Sequence, residues 1–168
     1  MSGVTVRRAR PSERDAATAL WAQLQAEHTA LDARHRPSDS ARERWRNDFI
    51  VWSESETHRV FVAELDGEIV GLLTAHPYWP APIYVQEMEV YVTELVVRPD
   101  VRGQRVGERL VEAVRAWARA QGVTRIRAGV LCRNERGYAF WQRQGADDFF
   151  TTVTLPVGEA RGDDIAAG

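Results

Sequence analysis

A glycine-bearing turn between an apolar run and an amphipathic segment is the part of this sequence best suited to bind an anion. The apolar run contains Val96 and Val97 and breaks at Pro99, and Gly103 and Gly107 flank the start of the next segment. The first turn of a helix leaves backbone N–H groups without partners, and the positive end of the helix dipole points the same way. A phosphate or a pyrophosphate fits such a site.

The side chains of this turn add charge to the backbone donors. Arg102 and Arg105 are positive, while Gly103 and Gly107 allow backbone and ligand to approach closely. The order Arg102-Gly103-Gln104-Arg105-Val106-Gly107 resembles motif A of the GNAT superfamily of N-acetyltransferases, which binds the pyrophosphate of acetyl-CoA. Arg105 departs from the family, which usually has glycine there. The resemblance implies acetyl-CoA as cosubstrate, bound by Arg102, Gly103, Gln104, Arg105, Val106, Gly107 and Glu108.

A second stretch resembles motif B of the same superfamily. Asn134 begins it, Gly137 takes the small-residue position, Phe140 and Trp141 take the aromatic positions, and Gly145 closes it. An ordinary capped helix is the alternative interpretation of this pattern. With both motifs present in order, the chain is identified as a member of the superfamily. The resemblance implies that Asn134 and Trp141 also contact the cosubstrate.

The strand before the glycine turn is predicted to carry the chemistry. In the resembled family this strand splays from its neighbour, and its freed backbone groups, here those of Leu95, Val96 and Val97, bind the pantetheine arm and polarise the thioester. An attacking amine must lose a proton. Alternate positions of this strand face the acceptor, so either Tyr91 and Thr93 or, across a bulge, Glu89 and Glu94 lie within reach of the amine. Glu94 is our first candidate for a base acting through water, and Glu89 is the second. A solvated strand carboxylate is the alternative for each glutamate.

Two departures from the family limit the assignment of proton-transfer groups. Trp141 stands where many members have an acidic tyrosine, so Tyr138, one turn back, or water would protonate the leaving thiolate. Gly129 stands where the ribosomal-protein alanine acetyltransferases have a glutamate, which argues against N-terminal acetylation of that type. The function expected is acetyl transfer to a primary amine of a small molecule or peptide. A noncatalytic acyl-CoA-binding or interaction module is the alternative.

Other reactive residues are expected to be bystanders. His28 is predicted to pack on the apolar face of the first helix, and Cys132 to be a small buried hydrophobe. His35 lies in the linker Leu31–Ser40, which borders the acceptor pocket in the resembled fold. The Pro-rich aromatic stretch within Pro77–Gln86 either walls that pocket or is buried in a dimer partner, so a homodimer stays open. The four His and one Cys have no metal-ligand spacing.

Composition favours one enzyme-sized domain. The chain has 168 residues, 44% of them hydrophobic, and we expect a single domain over 1–156 with a disordered tail over 157–168. A net charge of −2 argues against broad nucleic-acid binding. No apolar run reaches the length of a membrane span and the first ten residues lack a signal-peptide core, so a cytoplasmic location is expected. All 22 basic residues are Arg, which is typical of a high-GC bacterial genome.

Hydrophobic periodicity predicts the order βααβββαβαβ. This order favours a mixed α/β sandwich with helices on both faces of a twisted, mostly antiparallel sheet. A hairpin is predicted across Asp66-Gly67, and Ser12 with Asp15 is expected to cap the first helix. The expected elements are strands 4–9, 59–64, 68–75, 86–97, 125–132 and 148–155, and helices 12–29, around 45–52, 106–122 and 134–144.

Overall fold

The computed structural model describes residues 3–158, and these form a five-stranded sheet covered by helices on both faces. The strands are β1 Thr5–Arg8, β2 Arg59–Leu65, β3 Glu68–Tyr78, β4 Glu89–Val97 and β5 Ile126–Ala128. The helices are α1 Arg14–Leu31, α2 Ala41–Glu54, α3 Val106–Ala120 and α4 Glu135–Arg143. Neighbouring strands lie in sequence order and pair antiparallel, except that β4 and β5 are parallel and connected through α3.

Two apolar clusters hold the helices to the sheet. Leu110 and Val114 of α3 are fully buried on one face, and Trp45 and Phe49 of α2 are buried with α1 on the other. Because both faces are covered, β2 and β3 are long apolar runs rather than strictly alternating strands. The mixed α/β sandwich expected from the sequence is confirmed.

A β-bulge in β4 changes which side of the sheet its residues face. Thr74 of β3 pairs with Glu94, and the next residue, Ala75, pairs with Val92, so Thr93 is left unpaired. Val92 packs in the cluster under α3, whereas Val96 packs in the cluster under α1 and α2. In a regular strand, Val92 and Val96 would face the same side of the sheet, because side chains alternate with a period of two. The unpaired Thr93 reverses this alternation. The bulge therefore turns Glu94 toward α2.

Local signals explain most element ends. Asp66 and Gly67 have φ of 53° and 82°, as the two-residue hairpin loop requires, and Gly122, with φ of 72°, follows the end of α3. The capping box expected at Ser12 is wrong. Glu13 accepts a hydrogen bond from the Arg10 amide at 2.7 Å, and a short 3-10 turn precedes α1 at Arg14.

Several strand limits differ from the prediction. β3 continues through Pro77 to Tyr78, β4 begins at Glu89 and not at residue 86, and β5 has only three residues. The predicted strand 148–155 is wrong, because no residue from 147 to 157 joins a strand. An apolar alternation makes a strand only where a paired edge is available. Of the expected tail, only residues 157 and 158 lie among the described residues.

Candidate active site

The open end of the β4–β5 pair creates a gap in the sheet. β5 pairs with β4 only through Val90–Val92, so on that edge Thr93–Val97 has no strand partner in the part of the chain that the structure describes. The Val97 carbonyl accepts instead from the side chains of Gln23 and Arg102, at 3.3 and 3.0 Å. The gap therefore begins beside the bulge and extends along β4 to the glycine turn. β4 and β5 separate here in the way expected for the splayed strands of the resembled family.

Glu94 is the buried carboxyl of this region. Its side chain accepts a hydrogen bond from Trp45 Nε1 at 3.1 Å and another from the Thr74 hydroxyl. The backbone amide of Glu94 also donates to the Thr74 hydroxyl oxygen, at 3.2 Å. Only 7% of Glu94 is exposed. Two donors from two elements therefore fix the carboxyl beneath α2, so Glu94 is not the solvated strand carboxylate of the alternative interpretation. Its role as a base stays a prediction.

Burial raises the pKa of Glu94 to about 7, against the opposing effect of the hydrogen bond from Trp45. A carboxyl away from water favours its neutral form. A base is most effective when its pKa lies near the working pH, because it is then both substantially deprotonated and able to hold a proton. Glu94 has this property, and Glu89 occupies a different environment.

Glu89, the second candidate base, is engaged in ion pairs. Its carboxylate bonds to Arg125 at 2.9 Å and to Arg127 of β5, and its side chain is 4% exposed. Both of its oxygens are occupied by guanidinium groups. These contacts tie the start of β4 to β5, which is a structural task.

A cavity of about 250 Å³ opens next to Glu94. Thr74, whose hydroxyl bonds to Glu94, lies in its wall beside Thr93 of the bulge. The rest of the wall is mainly aromatic and apolar and consists of Trp52, His58, Arg59, Val60, Ala75 and His76. The hydroxyl of Thr74 thus connects the cavity to the buried carboxyl.

The two histidines of the cavity wall are held in defined states. His76 Nδ1 lies 2.8 Å from the Pro77 carbonyl, which can only accept, so Nδ1 carries a proton. His58 stacks on Trp52 with ring planes 4° apart, and its centroid lies 5.7 Å from that of His76. Burial and the neighbouring His76 lower the pKa of His58. The imidazoles of His58 and His76 therefore lie side by side in the wall, and Arg59 of the same wall carries a guanidinium.

A second cleft of about 590 Å³ lies between α1 and the start of α2. Trp21 lines it and stacks on Trp45 with centroids 5.5 Å apart, and Pro37 and Ser38 bring the 31–40 linker to its rim. Trp45 in turn bonds to Glu94. The second cleft is therefore connected to Glu94 through Trp21 and Trp45.

The glycine turn has the backbone of an anion site. The amides of residues 105–108 donate to no acceptor within residues 3–158. Arg105 has φ of 63°, the left-handed region that favours glycine, and this is the position where the family has glycine. Its exposed guanidinium bonds to Glu108 at 2.7 Å and lies at the helix start. The donors present fit a pyrophosphate.

The two glycines of the turn have different tasks. Gly103 has φ of 83° and open space around it, so it supplies backbone freedom. A Cβ at Gly107 would lie 3.1 Å from the Phe140 ring, so this glycine admits α4. The expectation that Gly107 also lets a ligand approach the backbone closely stays a prediction.

Arg102 is committed to a network around Glu27. Its guanidinium bonds to Glu27 Oε1 at 2.6 Å, and Arg136 of α4 bonds to Oε2 at 2.8 Å. Gln23, one turn earlier on α1, donates to Glu27 at 3.1 Å. Burial would raise the pKa of Glu27, but the hydrogen bonds and charge of Arg102 outweigh it and the pKa is lowered. The arginine expected to face phosphate therefore links the turn to α1.

The motif around α4 is organised by its cap. Asn134 Oδ1 accepts from the Gly137 amide at 2.9 Å, and a Cβ at Gly137 would lie 2.5 Å from the Asn134 side chain. Trp141 packs against the cluster under α3 and meets Phe140 edge-on with centroids 5.5 Å apart. Gly137 is thus required by the cap itself. Contact of Asn134 and Trp141 with a cosubstrate stays a prediction.

Tyr138, the candidate acid, lies on an outer face of α4. It is 45% exposed, and its hydroxyl donates to Asp148 at 3.0 Å. That hydrogen bond, with a smaller effect of desolvation, raises the pKa of Tyr138. A raised pKa makes the phenol a weaker proton donor.

Tyr91 occupies space next to the gap. A Cβ at Gly129 would lie 2.8 Å from the Tyr91 hydroxyl oxygen. Because real Cβ atoms do not approach so closely, a larger residue at position 129 would displace that phenol. Gly129 therefore leaves room for the hydroxyl of Tyr91.

Three other candidate residues gather near the end of α1. His28 and His35 meet edge-on with centroids 5.2 Å apart, and burial followed by the charge of His35 lowers the pKa of His28. Cys132 is exposed, so the expectation of a buried cysteine is wrong. Cys132 lies in the irregular loop after β5, where no apolar cluster covers it within the described residues. No group of three or more potential metal ligands occurs among residues 3–158.

Sequence reasoning missed the cavity residues Trp52, His58 and His76 and the bridging Glu27. A signal for the histidines exists in the hairpin. Arg59 pairs with Ala75, so one step further along the two strands places His58 beside His76. For Glu27, the signal is its spacing of four from Gln23 on one face of α1.

Comparison with known proteins decides the family. Residues 17–146 match the Acetyltransferase (GNAT) family. The chain belongs to this family. The matched region of this GNAT protein runs from α1 to the end of α4 and contains both the glycine turn and Glu94.

Sequence relatives of this GNAT protein match only in part. An uncharacterized N-acetyltransferase, MJ1207, from Methanocaldococcus jannaschii is 24% identical over 108 residues, which is 64% of this chain and 47% of the relative. Thialysine N-epsilon-acetyltransferase from Bos taurus is 30% identical over 59 residues, or 35% of each chain. The chain spans about half or less of the length of these curated relatives.

Solved structures share the whole fold. A tetramutant of the BH1408 protein from Bacillus halodurans has a TM-score of 0.81 and 23% identity, covering 91% of this chain and 99% of its own. The aminoglycoside N-acetyltransferase AAC(6')-Iy, in complex with CoA, has a TM-score of 0.75 and 18% identity, covering 94% and 96%. At these identities the likeness establishes the fold. Across residues 3–158, no helix has the length and apolar character needed to cross a membrane.

Proposed function

We propose that this protein transfers the acetyl group of acetyl-CoA to a primary amine, with Glu94 as the base. The buried Glu94 carboxyl beside the β4–β5 gap carries this proposal. It combines a pKa of about 7 with two fixed hydrogen bonds and a hydroxyl link through Thr74 to an adjacent cavity. Burying a carboxyl costs free energy that packing alone does not recover. A buried carboxyl with a pKa of about 7 beside a cavity is therefore a candidate functional group.

The cosubstrate would lie along the gap and end at the glycine turn. The free amides of residues 105–108 and the guanidinium of Arg105 suit its pyrophosphate. The unpaired edge of Leu95–Val97 offers backbone groups to the pantetheine arm and the thioester. AAC(6')-Iy, a relative in fold, has been solved with CoA, which supports this choice of cosubstrate.

The acceptor would be a cationic primary amine of a small molecule or a peptide side chain. A cavity of about 250 Å³ suits an aminoalkyl group, and the indole of Trp52 in its wall can attract an ammonium. The Arg59 guanidinium of the same wall is held by the Ser55 and Glu56 carbonyls, so the ammonium would lie on the Trp52 side. Relatives named for thialysine and aminoglycoside acetylation support an amine acceptor. The proposed partner is thus a primary amine of a small molecule or peptide and not a nucleic acid.

The reaction needs a base for the amine, which is Glu94, and a proton donor for the leaving thiolate, which is solvent. The ammonium gives one proton to the Glu94 carboxylate through water near Thr74, and the free amine then forms the N–C bond as the C–S bond breaks. The nitrogen loses its second proton as the amide forms, and solvent can carry this proton to the thiolate. The thiolate then takes a proton. The Tyr138 hydroxyl donates to Asp148 and has a raised pKa, so water is the favoured donor for this step.

The pH profile of Glu94→Gln tests the proposal. With an amine acceptor found by screening for CoA release, we expect this variant to lower kcat/KM at least about tenfold near neutral pH. The deficit shrinks toward about pH 9, where more of the amine is unprotonated without help. The measurement is the initial rate of CoA release across pH for both proteins.

Glu89→Gln is the matched control, because it removes another buried carboxylate from the same strand. Any deficit it causes through the Arg125 and Arg127 contacts should not depend on pH in this way. Parallel profiles for wild type and Glu94→Gln would refute the role of Glu94. Tight CoA binding without CoA release for any amine would favour the alternative, a noncatalytic acyl-CoA-binding module, which Trp141 in the place of an acid also favours.

A further inference from the structure

Tyr91 lies where the paired and the unpaired parts of β4 meet. In the described chain, β5 pairs with β4 only through Val90–Val92, and Gly129 follows the last residue of β5. A Cβ at Gly129 would lie 2.8 Å from the Tyr91 hydroxyl oxygen, so the phenol reaches across from β4 to the chain that leaves β5. We term this inner end of the gap, bounded by Tyr91 and Gly129, the fork.

The bulge places Tyr91 on the same side of the sheet as Glu94. Tyr91 pairs with His76, and Glu94 pairs with Thr74. Thr74 and His76 are two residues apart on β3, so their side chains project from one face of the sheet. The phenol of Tyr91 therefore borders the fork on the side where the proposed base lies.

Aromatic contacts hold the Tyr91 ring in place. Its centroid lies 5.6 Å from that of His76 and 6.2 Å from that of Tyr78. The guanidinium of Arg127 lies 4.9 Å from the centroid of the Tyr78 ring. Because β3 pairs with the edge of β4 opposite the gap, these contacts support the ring from behind. A group entering the fork therefore meets a ring that its neighbours keep from moving away.

The length of the pantetheine arm brings the acyl group to the fork in the binding mode of the proposed function, on which this inference rests. About twelve bonds separate the phosphate-ester oxygen of this arm from its sulfur, which is the backbone length of about four residues. Val97, at the end of β4 nearest to the glycine turn, lies the same number of residues from Thr93. The thioester would thus lie beside Thr93, with the acyl chain pointing toward Tyr91.

We propose that the Tyr91 hydroxyl sets the length of the acyl group, so that the fork admits acetyl and excludes longer chains. The hydroxyl oxygen is the outermost atom of this side chain and the one that faces Gly129. A hydroxyl takes up nearly the same space as a methyl group, and close-packed sites respond to a change of one carbon. Tyr91 and Gly129 together therefore assign acetyl-CoA as the cosubstrate in preference to propionyl-CoA or butyryl-CoA.

Calorimetric titration of the full chain with the three thioesters tests the proposal without turnover. We expect the wild type to bind acetyl-CoA at least about tenfold more tightly than propionyl-CoA or butyryl-CoA. Tyr91→Phe removes only the hydroxyl, so the dissociation constant of propionyl-CoA should fall to within about threefold of that of acetyl-CoA, while butyryl-CoA stays weak. Tyr91→Ala removes the ring as well and should also admit butyryl-CoA.

CoA without an acyl group is the control for these titrations. It does not reach the fork, so its dissociation constant should stay within about threefold of the wild-type value in every variant. Circular dichroism should show each variant folded.

The double variant Tyr91→Phe/Gly129→Ala distinguishes the space of the hydroxyl from a general loosening of the fork. The methyl group added at position 129 would fill the space left beside the ring at position 91. The preference for acetyl-CoA over propionyl-CoA should then return to within about threefold of the wild-type ratio. A folded double variant that stays as permissive as Tyr91→Phe would overturn the assignment to this space.

Two further results would overturn the proposal and leave the proposed acetyl transfer standing. One is a wild type that binds the three thioesters equally, and the other is a Tyr91→Phe variant that is as selective as the wild type. A wild type that binds neither CoA nor any thioester would contradict the cosubstrate site itself, and the inference about Tyr91 would fall with it.

Discussion

At the residue scale, the environment of Glu94 predicts opposite effects on stability and activity. Its pKa of about 7 in the folded chain lies above the ordinary value of 4.5. A carboxyl with a raised folded pKa contributes stability below its unfolded pKa, and this contribution is lost as pH rises through the folded pKa. The wild-type protein should therefore lose up to about 3 kcal/mol between about pH 4.5 and pH values above about 7 from this group alone.

Glu94→Gln should remove that loss. Gln keeps the shape of the side chain and can accept from Trp45, so we expect equal stabilities near about pH 5 and a more stable variant, by about 1–3 kcal/mol, near about pH 8. Urea unfolding at both pH values measures the difference. Glu89→Gln is the control. It removes the carboxylate partner of Arg127, so this variant should be less stable than the wild type at both pH values. Curves for wild type and Glu94→Gln that stay parallel would contradict the assigned pKa.

The sequence allowed Glu94 to be selected but not its environment to be foreseen. Its position ahead of the glycine turn follows from the local pattern. Its burial depends on Trp45, 49 residues away, and on the bulge at Thr93. Contacts between distant segments set such burial, and no local pattern records them. The cavity histidines differ in this respect, because extending the predicted hairpin by one pair places His58 beside His76, while the cavity they line also needs Trp52 of α2.

At the element scale, the left-handed conformation of Arg105 predicts that its replacement raises the stability of the fold and lowers the affinity for CoA, two effects that can be measured separately. Arg105→Gly should stabilise the fold by about 1 kcal/mol, because φ of 63° is strained for a residue with a Cβ. It should also weaken CoA binding several-fold, because the guanidinium at the helix start is lost. Thermal unfolding and calorimetric titration with CoA give the two quantities.

Arg105→Ala is the matched variant for this position. It removes the same guanidinium but keeps a Cβ, so we expect the same loss of CoA affinity without the gain in stability. If both variants bind CoA as the wild type does, Arg105 takes no part in binding the pyrophosphate. A stability gain in both would assign the effect to charge rather than to backbone strain.

Elements with a strong local signal were predicted best. The stripe of Val106, Leu110 and Val114 defines α3, and the Asp66-Gly67 pair defines the hairpin. Strand ends were predicted less well, because pairing partners determine them. β5 stops after Ala128, where β4 bulges away, and residues 148–155 find no edge in the described chain. Periodicity reports which side of an element is apolar and not whether a partner is present.

At the scale of the whole molecule, the proposed CoA site joins parts from both faces of the sheet. Glu27 of α1 connects to Arg102 beside α3 and to Arg136 of α4, so the cradle is held by helices that lie far apart in the sequence. A ligand that binds only the folded state stabilises it through mass action. The sandwich should therefore gain stability as a unit when CoA binds.

We expect CoA at about 100 times its dissociation constant to stabilise the fold by about 2.7 kcal/mol. For a chain of this length, that corresponds to a rise in Tm of roughly 5–10 °C. Differential scanning calorimetry with increasing CoA measures the shift, and adenosine, which lacks phosphates, is the control. An unchanged Tm at millimolar CoA, or an equal shift with adenosine, would contradict a pyrophosphate site at the turn.

The hydrogen bond between Trp45 and Glu94 gives the protein an internal optical indicator. The indole Nε1–H of Trp45 points at a carboxyl that changes charge near about pH 7, and the ring stacks on Trp21. A charge appearing beside an indole shifts its electronic transition. The near-ultraviolet signal of this tryptophan pair should therefore report, without any added dye, when the carboxyl holds a proton and when an acceptor in the adjoining cavity has changed that state.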